Sequence, residues 1–408
     1  MKPKHFFLSL LFIAIAMNAT AQKFQVPYSG TTAVEDYIYE IPKSALPASF
    51  DEKLYAVQYE KNLYPIEKSV DILGNVSYIS IINITTDRRG RVVVPTVTLV
   101  KSDVSNSYPK RTYAEIAHKT GGEWVRNPKR RTFDYRGGDW IKTNYIRVPD
   151  KHTDGTGYIK YEGPGWESDK IAYRFYLDWR NATDIFGKLK PDICLHRVGA
   201  NARENYHEMQ DWGMDIFKVG GSLGVGAFGY WTGNRAFRLE IYDSIISQVT
   251  ADGKIRSQVK TNYYGWDYND KRDKINLTSV ISIDAGSRAS HQQLLLSKSI
   301  ENICTGLARD QNGEYIEYID KSGKWSYIAT WGKQSLNEPS DNLGIAVFFR
   351  NKNLKEITSD RDSWVVVLTP ENQFLDYYFL GAWELEPNGI TTKAQFVEYL
   401  NLLTKTLK

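Results

Sequence analysis

Along most of the chain apolar and polar positions alternate in runs of strand length. They include Val76–Ile84, Val92–Val100, Ile171–Leu177, Ala236–Tyr242, Ile255–Tyr264, Ile275–Ile283, Glu314–Ile319, Ile345–Phe349 and Trp364–Leu368. Most are rich in β-branched and aromatic residues and are separated by Gly, Asn or Asp, the punctuation of strands and turns. Helical spacing predicts helices only over Leu294–Leu307 and Thr392–Lys408. Strands do not alternate with helices and no 20–50-residue repeat is visible, which argues against doubly wound sheets and solenoids. The pattern predicts an all-β fold: a large antiparallel β-sandwich with long loops and few short helices. It would occupy residues 22–408 as a single domain, with an N-terminal β-subdomain to about residue 110 as a variant of the same layout.

Residues 1–21 follow a different pattern. Lys2 and Lys4 precede an apolar run from Phe6 to Met17, and Ala19-Thr20-Ala21 supplies small residues for cleavage. This is the layout of a secretory signal peptide, too short in its apolar part to span a bilayer comfortably. The expected location is the periplasm, with secretion as the alternative. No second long apolar run follows, so no membrane anchor is expected.

Composition narrows the chemistry. With 42% hydrophobic residues the chain has enough apolar material for a large core. Removing Lys2 and Lys4 takes the net charge from +4 to +2, too even a balance for a nucleic-acid-binding stripe. The densest charge run, Arg126–Arg131, reads as a solvated loop. Two cysteines, Cys194 and Cys304, cannot build a disulfide framework or a four-cysteine metal site, and read as small buried hydrophobes with one disulfide as the alternative. Phosphate-loop, dinucleotide, zinc-helix and nucleophile-elbow motifs are missing, so no cofactor and no metal are expected. Gly220–Gly226 (GGSLGVG) lacks the strand-to-helix context of a nucleotide loop and reads as close backbone packing.

Titratable groups, Trp and Gly concentrate between Tyr161 and Trp231. If Tyr173–Arg180 is a strand, Tyr173, Phe175, Leu177 and Trp179 share an apolar, core-facing side. Arg174, Tyr176, Asp178 and Arg180 then share the other side. Two guanidiniums on one sheet face suit a carboxylate or sulfate, and equally suit an ordinary ion-pair ladder. His207, between Tyr206 and Glu208 in a polar segment, is the leading proton-transfer candidate; a structural histidine is the plainer alternative. His152 and His196 are lesser candidates, and the three histidines match no metal-ligand spacing. Trp166, Trp212 and Trp231 offer flat faces for sugar rings, or simply fill the core.

The strings Tyr161–Asp169 (YEGPGWESD), Tyr173–Asp178 (YRFYLD), Arg180–Ala182, Asp184–Lys188 (DIFGK), Tyr206-His207, Trp212–Asp215 (WGMD), Lys218–Gly220 and Ser222–Gly224 resemble a secreted bacterial family described as a domain of unknown function. Members occur in polysaccharide-utilisation loci, and the resemblance extends to the oligosaccharide dehydratases of ulvan degradation. It implies a substrate ending in a saturated glucuronic or iduronic acid linked to sulfated rhamnose. It further implies loss of water to a 4,5-unsaturated uronyl end, the substrate of an unsaturated-glycuronyl hydrolase.

Chemistry, rather than the family, assigns the roles. Removing the C5 proton beside a carboxylate requires a cation to neutralise that carboxylate, a base near C5, and an acid for the departing hydroxyl. Arg174, Arg180 or Lys218 would neutralise, His207 would be the base, and Tyr206, Tyr173 or Tyr176 the acid, with Trp166, Trp212 and Glu162 lining the site. Tyr206 and His207 are adjacent and would point apart if extended, so a turn is required for both to face one sugar. The competing classes are a uronate lyase or epimerase, a non-catalytic sugar-binding module, and a glycoside hydrolase using Glu162 and Glu167.

Overall fold

The computed structural model describes residues 22–201 and 204–408; the expected signal peptide lies outside them. The fold is all-β and every paired strand is antiparallel to its neighbours. A nine-stranded sheet forms one layer, in the order Tyr145–Arg147, Ser244–Asp252, Arg256–Asp267, Lys274–Asp284, Ala289–Leu296, Phe374–Trp383, Leu343–Arg350, Trp325–Gly332, Gly313–Tyr318. Two smaller sheets contribute to the facing layer. One has six strands, in the order Asp139–Thr143, Thr112–Thr120, Gly165–Ser168, Ala172–Phe175, Thr183–Lys188, Gly213–Asp215. The other has five: Ala236–Phe237, Val225–Trp231, Ile303–Ala308, Ser363–Leu368, Leu354–Ser359. A bridge between Thr183 and Gly224 joins them.

The main core lies between these layers. Trp166, Tyr173, Phe175 and Ile185 of the six-stranded sheet, with Phe228 and Val366 of the five-stranded one, meet Ile283, Ile345, Phe379 and Trp383 of the nine-stranded sheet. Two buried polar groups at the seam are paired: the Trp166 indole donates to Ser290 (2.9 Å), and the Tyr173 hydroxyl donates to the Arg288 carbonyl (2.6 Å) while accepting from Gly381 N–H. Gly226, in a left-handed conformation (φ 74°), packs so closely that a Cβ there would lie 2.4 Å from the Phe379 ring, the close packing expected of the glycine-rich stretch.

Residues 23–101 form two further small sheets around their own apolar cluster, which includes Val26, Tyr39, Val57, Ile82 and Leu99. Arg111 pairs with both Asp36 and Asp169, and the Glu67 carboxylate accepts the backbone N–H groups of Lys254, Ile255 and Arg256, tying these sheets to the sandwich.

The helix Lys393–Thr406 forms where expected. Thr392 and Gln395 make a reciprocal capping box, and Phe396 and Leu400 are buried against the sheet. The helix expected over Leu294–Leu307 is instead the end of one strand, a turn, and the strand Ile303–Ala308. That second strand is buried at every position, so its residues carry no apolar–polar alternation to mark it as β. No helix of the described residues is long and apolar enough to cross a membrane.

Candidate active site

Ala172–Phe175 and Thr183–Lys188 form a hairpin whose register sets Arg174 opposite Asp184. Gly213–Asp215 adds on the far side and brings Asp215 to the same face. The Arg174 guanidinium, almost wholly buried, donates to Asp184 from Nε (2.9 Å) and Nη2 (2.6 Å), and to Asp215 from Nη2 (2.7 Å). Asp184 also accepts the Tyr176 hydroxyl at 2.5 Å. Burial, together with the Asp215 charge, pushes Asp184 up to about 6.

Asp215 reaches outward as well. Its Oδ2 lies 3.0 Å from Nδ1 of His207, whose side chain is 56% exposed. This is the arrangement in which a buried carboxylate fixes an imidazole and leaves the other ring nitrogen to the solvent side. The bond to Asp215 raises the His207 pKa above its ordinary value, opposed by burial. The turn required by the adjacent pair is present: the Asn205 carboxamide accepts the His207 N–H, and Glu208 N–H donates back to the Asn205 carbonyl. It sets the Tyr206 and His207 rings 4.4 Å apart. The Tyr206 hydroxyl accepts from Arg174 Nη1 at 3.3 Å, and burial raises its pKa against the pull of Arg174, so the phenol stays protonated at neutral pH.

Arg180 extends the cluster. It donates to Asp178 (2.5 Å) and Glu162 (2.7 Å) and stacks over Tyr176 at 3.5 Å, with Arg174 also against that ring at 4.7 Å. Three non-glycine residues with left-handed backbone border it, Tyr161 (φ 37°), Glu162 (φ 70°) and Asn181 (φ 40°). Such strain gathers at functional sites.

The structure therefore brings together Arg174, Tyr206, His207, Arg180 and Glu162, and corrects several assignments. Arg174 and Arg180 are each claimed by two carboxylates, so neither is a free cation for a substrate carboxylate. Lys218, exposed and unpaired among the described residues, is the cation left from the three. Tyr173 is fully buried in the sandwich with its hydroxyl committed, and cannot meet a sugar. Trp166 is core. Trp212 is buried behind Phe186, which in turn supports the Tyr206 ring, so it forms a wall rather than a platform; Trp231 is buried beside Cys304. Glu167 is fully buried on Lys188 and the Cys194 and Leu195 N–H groups, which separates it from Glu162 and removes the hydrolase pair. His152 is buried on Thr156 and His196 is exposed beside Tyr113. Among the described residues no three His, Cys, Asp or Glu side chains are grouped to hold a metal ion.

Asp184 and Asp215 were missed as site residues. Their only sequence signal was position, since the pairing with Arg174 follows from strand register. Trp179, assigned to the core side, is 46% exposed because the strand ends at Phe175 and the chain turns at Asp178–Asn181.

The profile of a domain of unknown function, DUF4861, matches residues 88–408. The chain belongs to the DUF4861 family. The matched region contains every residue of this cluster. No curated protein matches the chain. Among solved structures, an α-mannosidase from Enterococcus faecalis V583 overlaps 95% of this chain and 45% of its own at 8% identity and a TM-score of 0.39, a likeness too distant to carry a functional argument. The chain spans less than half of that protein.

Asp215→Asn is expected to lower the His207 pKa, because the carboxylate that raises it is gone. An NMR titration of the His207 ring checks this without an activity assay. An unchanged midpoint would show that Asp215 does not set it.

Proposed function

We propose that this chain is a carbon–oxygen lyase, a dehydratase of the non-reducing-end uronic acid of ulvan-type sulfated rhamnose oligosaccharides. The observation that carries the chemistry is the pairing of an imidazole fixed by a buried carboxylate with a protonated phenol beside it, His207 on Asp215 and Tyr206 on Arg174. The substrate class comes from the family resemblance.

In this reading the outward nitrogen of His207 takes the C5 proton, whose bonding electrons become the C4–C5 double bond. The C4–O bond breaks, and Tyr206 protonates the leaving hydroxyl, which departs as water. The His207 proton returns to the phenolate through solvent. Lys218 is assigned to the substrate carboxylate, whose developing charge needs a cation. A hydrolase would need two carboxylates open to the glycosidic bond, whereas Asp184 and Asp215 are buried on Arg174. Export to the periplasm belongs to the same proposal.

Mass spectrometry of a saturated uronate–sulfated rhamnose oligosaccharide, before and after incubation, tests it. Loss of about 18 mass units without shortening is the expected result for an elimination of water of this kind. Chain cleavage would indicate a lyase that breaks the glycosidic bond. An unchanged mass would indicate an epimerase or a binding module.

A further inference from the structure

Most of the buried guanidiniums meet carboxylates, but Arg238 does not. It is 7% exposed, and Nη1 donates to two backbone carbonyls, those of Arg180 and Ser222, both at 3.1 Å. Glu240, Asp360 and Asp362 attract it from beyond hydrogen-bond contact, and Arg235 repels it. Among the described residues it has no ion pair. A buried guanidinium with donors left over is costly unless something anionic completes it.

The adjoining surface is aromatic. Trp179 lies against the Arg238 guanidinium at 5.5 Å, and its indole N–H donates to Asp154 at 3.1 Å, which fixes the ring. With 46% exposure it is the most open tryptophan among the exposed large apolar side chains of the described residues. Beside it, Asn181 is fully buried in a left-handed conformation with both carboxamide atoms unpartnered. An oriented exposed indole next to an incompletely paired guanidinium is the pattern that holds a sugar ring bearing an oxyanion.

We propose that Arg238 and Trp179 form a subsite for an oxyanion-bearing sugar, a sulfate ester or a carboxylate, next to the sugar that reacts at His207. Contacts from His207 to Arg238 run through Asp215, Arg174, Tyr176 and Arg180, so one continuous cluster joins the two ends, and in this proposal they take different rings of one oligosaccharide. The neighbouring-sugar assignment rests on the dehydratase reading; binding at Arg238 and Trp179 does not.

Calorimetric titration tests it, with the glucuronate–3-sulfated rhamnose disaccharide and its desulfated and carboxyl-reduced counterparts, on wild type, Arg238→Gln and Trp179→Ala. The expected result is binding at least about tenfold weaker in Arg238→Gln, the size of one good charge-assisted contact, and a difference that vanishes with the counterpart lacking the recognised anion. Desulfation erasing the difference identifies the sulfate; carboxyl reduction erasing it identifies the carboxylate. In Arg238→Gln, unchanged affinity, or an equal loss toward all three ligands, overturns the subsite. If Arg238→Gln does not fold, Trp179→Ala decides instead: its exposed side chain is dispensable for packing, weaker binding of all three ligands is the expected loss of stacking, and unchanged affinity overturns the subsite. Binding of all three without release of water from any would sink the dehydratase reading and leave the subsite standing. A wild type that binds none of them overturns the subsite.

Discussion

His207→Ala is expected to lower formation of the ultraviolet-absorbing unsaturated uronyl product by about 10²–10⁴-fold, the usual contribution of a positioned general base. The side chain is half exposed and its removal opens no core cavity, so the fold and melting temperature should be kept. His207→Gln should lose as much, because a carboxamide keeps the polarity and cannot take the proton. Activity of the native chain should rise with pH through the raised His207 pKa, since only the neutral ring is a base. A rate within a factor of two of wild type in either variant would remove His207 from the reaction.

Arg174→Met should be the most destabilising single change in the site. It leaves Asp184 and Asp215 facing each other in the interior without the cation that both share. Breaking a buried pair from one side costs about 3–5 kcal/mol. The loss should depend on pH with a definite sign. Asp184 already titrates up to about 6 in the fold, above its ordinary carboxylate value, and loses a compensating charge when Arg174 goes. A carboxyl whose folded pKa lies above its unfolded one weakens the fold as pH rises through the folded value, and protonation at lower pH relieves it. Urea unfolding should therefore show a larger deficit at pH 7.5 than at pH 4.5. A deficit equal at both, or below about 1 kcal/mol, would show that the guanidinium does not hold these carboxylates together.

The alternation of residues revealed the sheets and half of the site. Parity placed Arg174 away from Tyr173 and Phe175, because side-chain direction in a strand is local information. It failed at Trp179, where the chain had already left the strand. The partners of Arg174 were hidden for a different reason: which carboxylate meets it depends on hairpin register and on a third strand arriving from forty residues later. Tyr206 and His207 were recognisable as a pair, and the asparagine-led turn that joins their faces could be required but not located from composition. The misread at Leu294–Leu307 has the same root as the clearest fold signal, since a strand buried on both sides loses the period of two.

Cys194 and Cys304 are both free and buried in separate apolar clusters, one against Tyr161, Phe186 and Trp212 behind the site, the other against Leu223, Trp231 and Val367. Burial holds both thiols well above their ordinary pKa, so neither reacts while the structure is closed. The chain thus carries two internal clocks. Alkylation of Cys194 alone would time the opening of the wall behind the Arg174 cluster, whereas alkylation of both at one rate would time the parting of the whole sandwich.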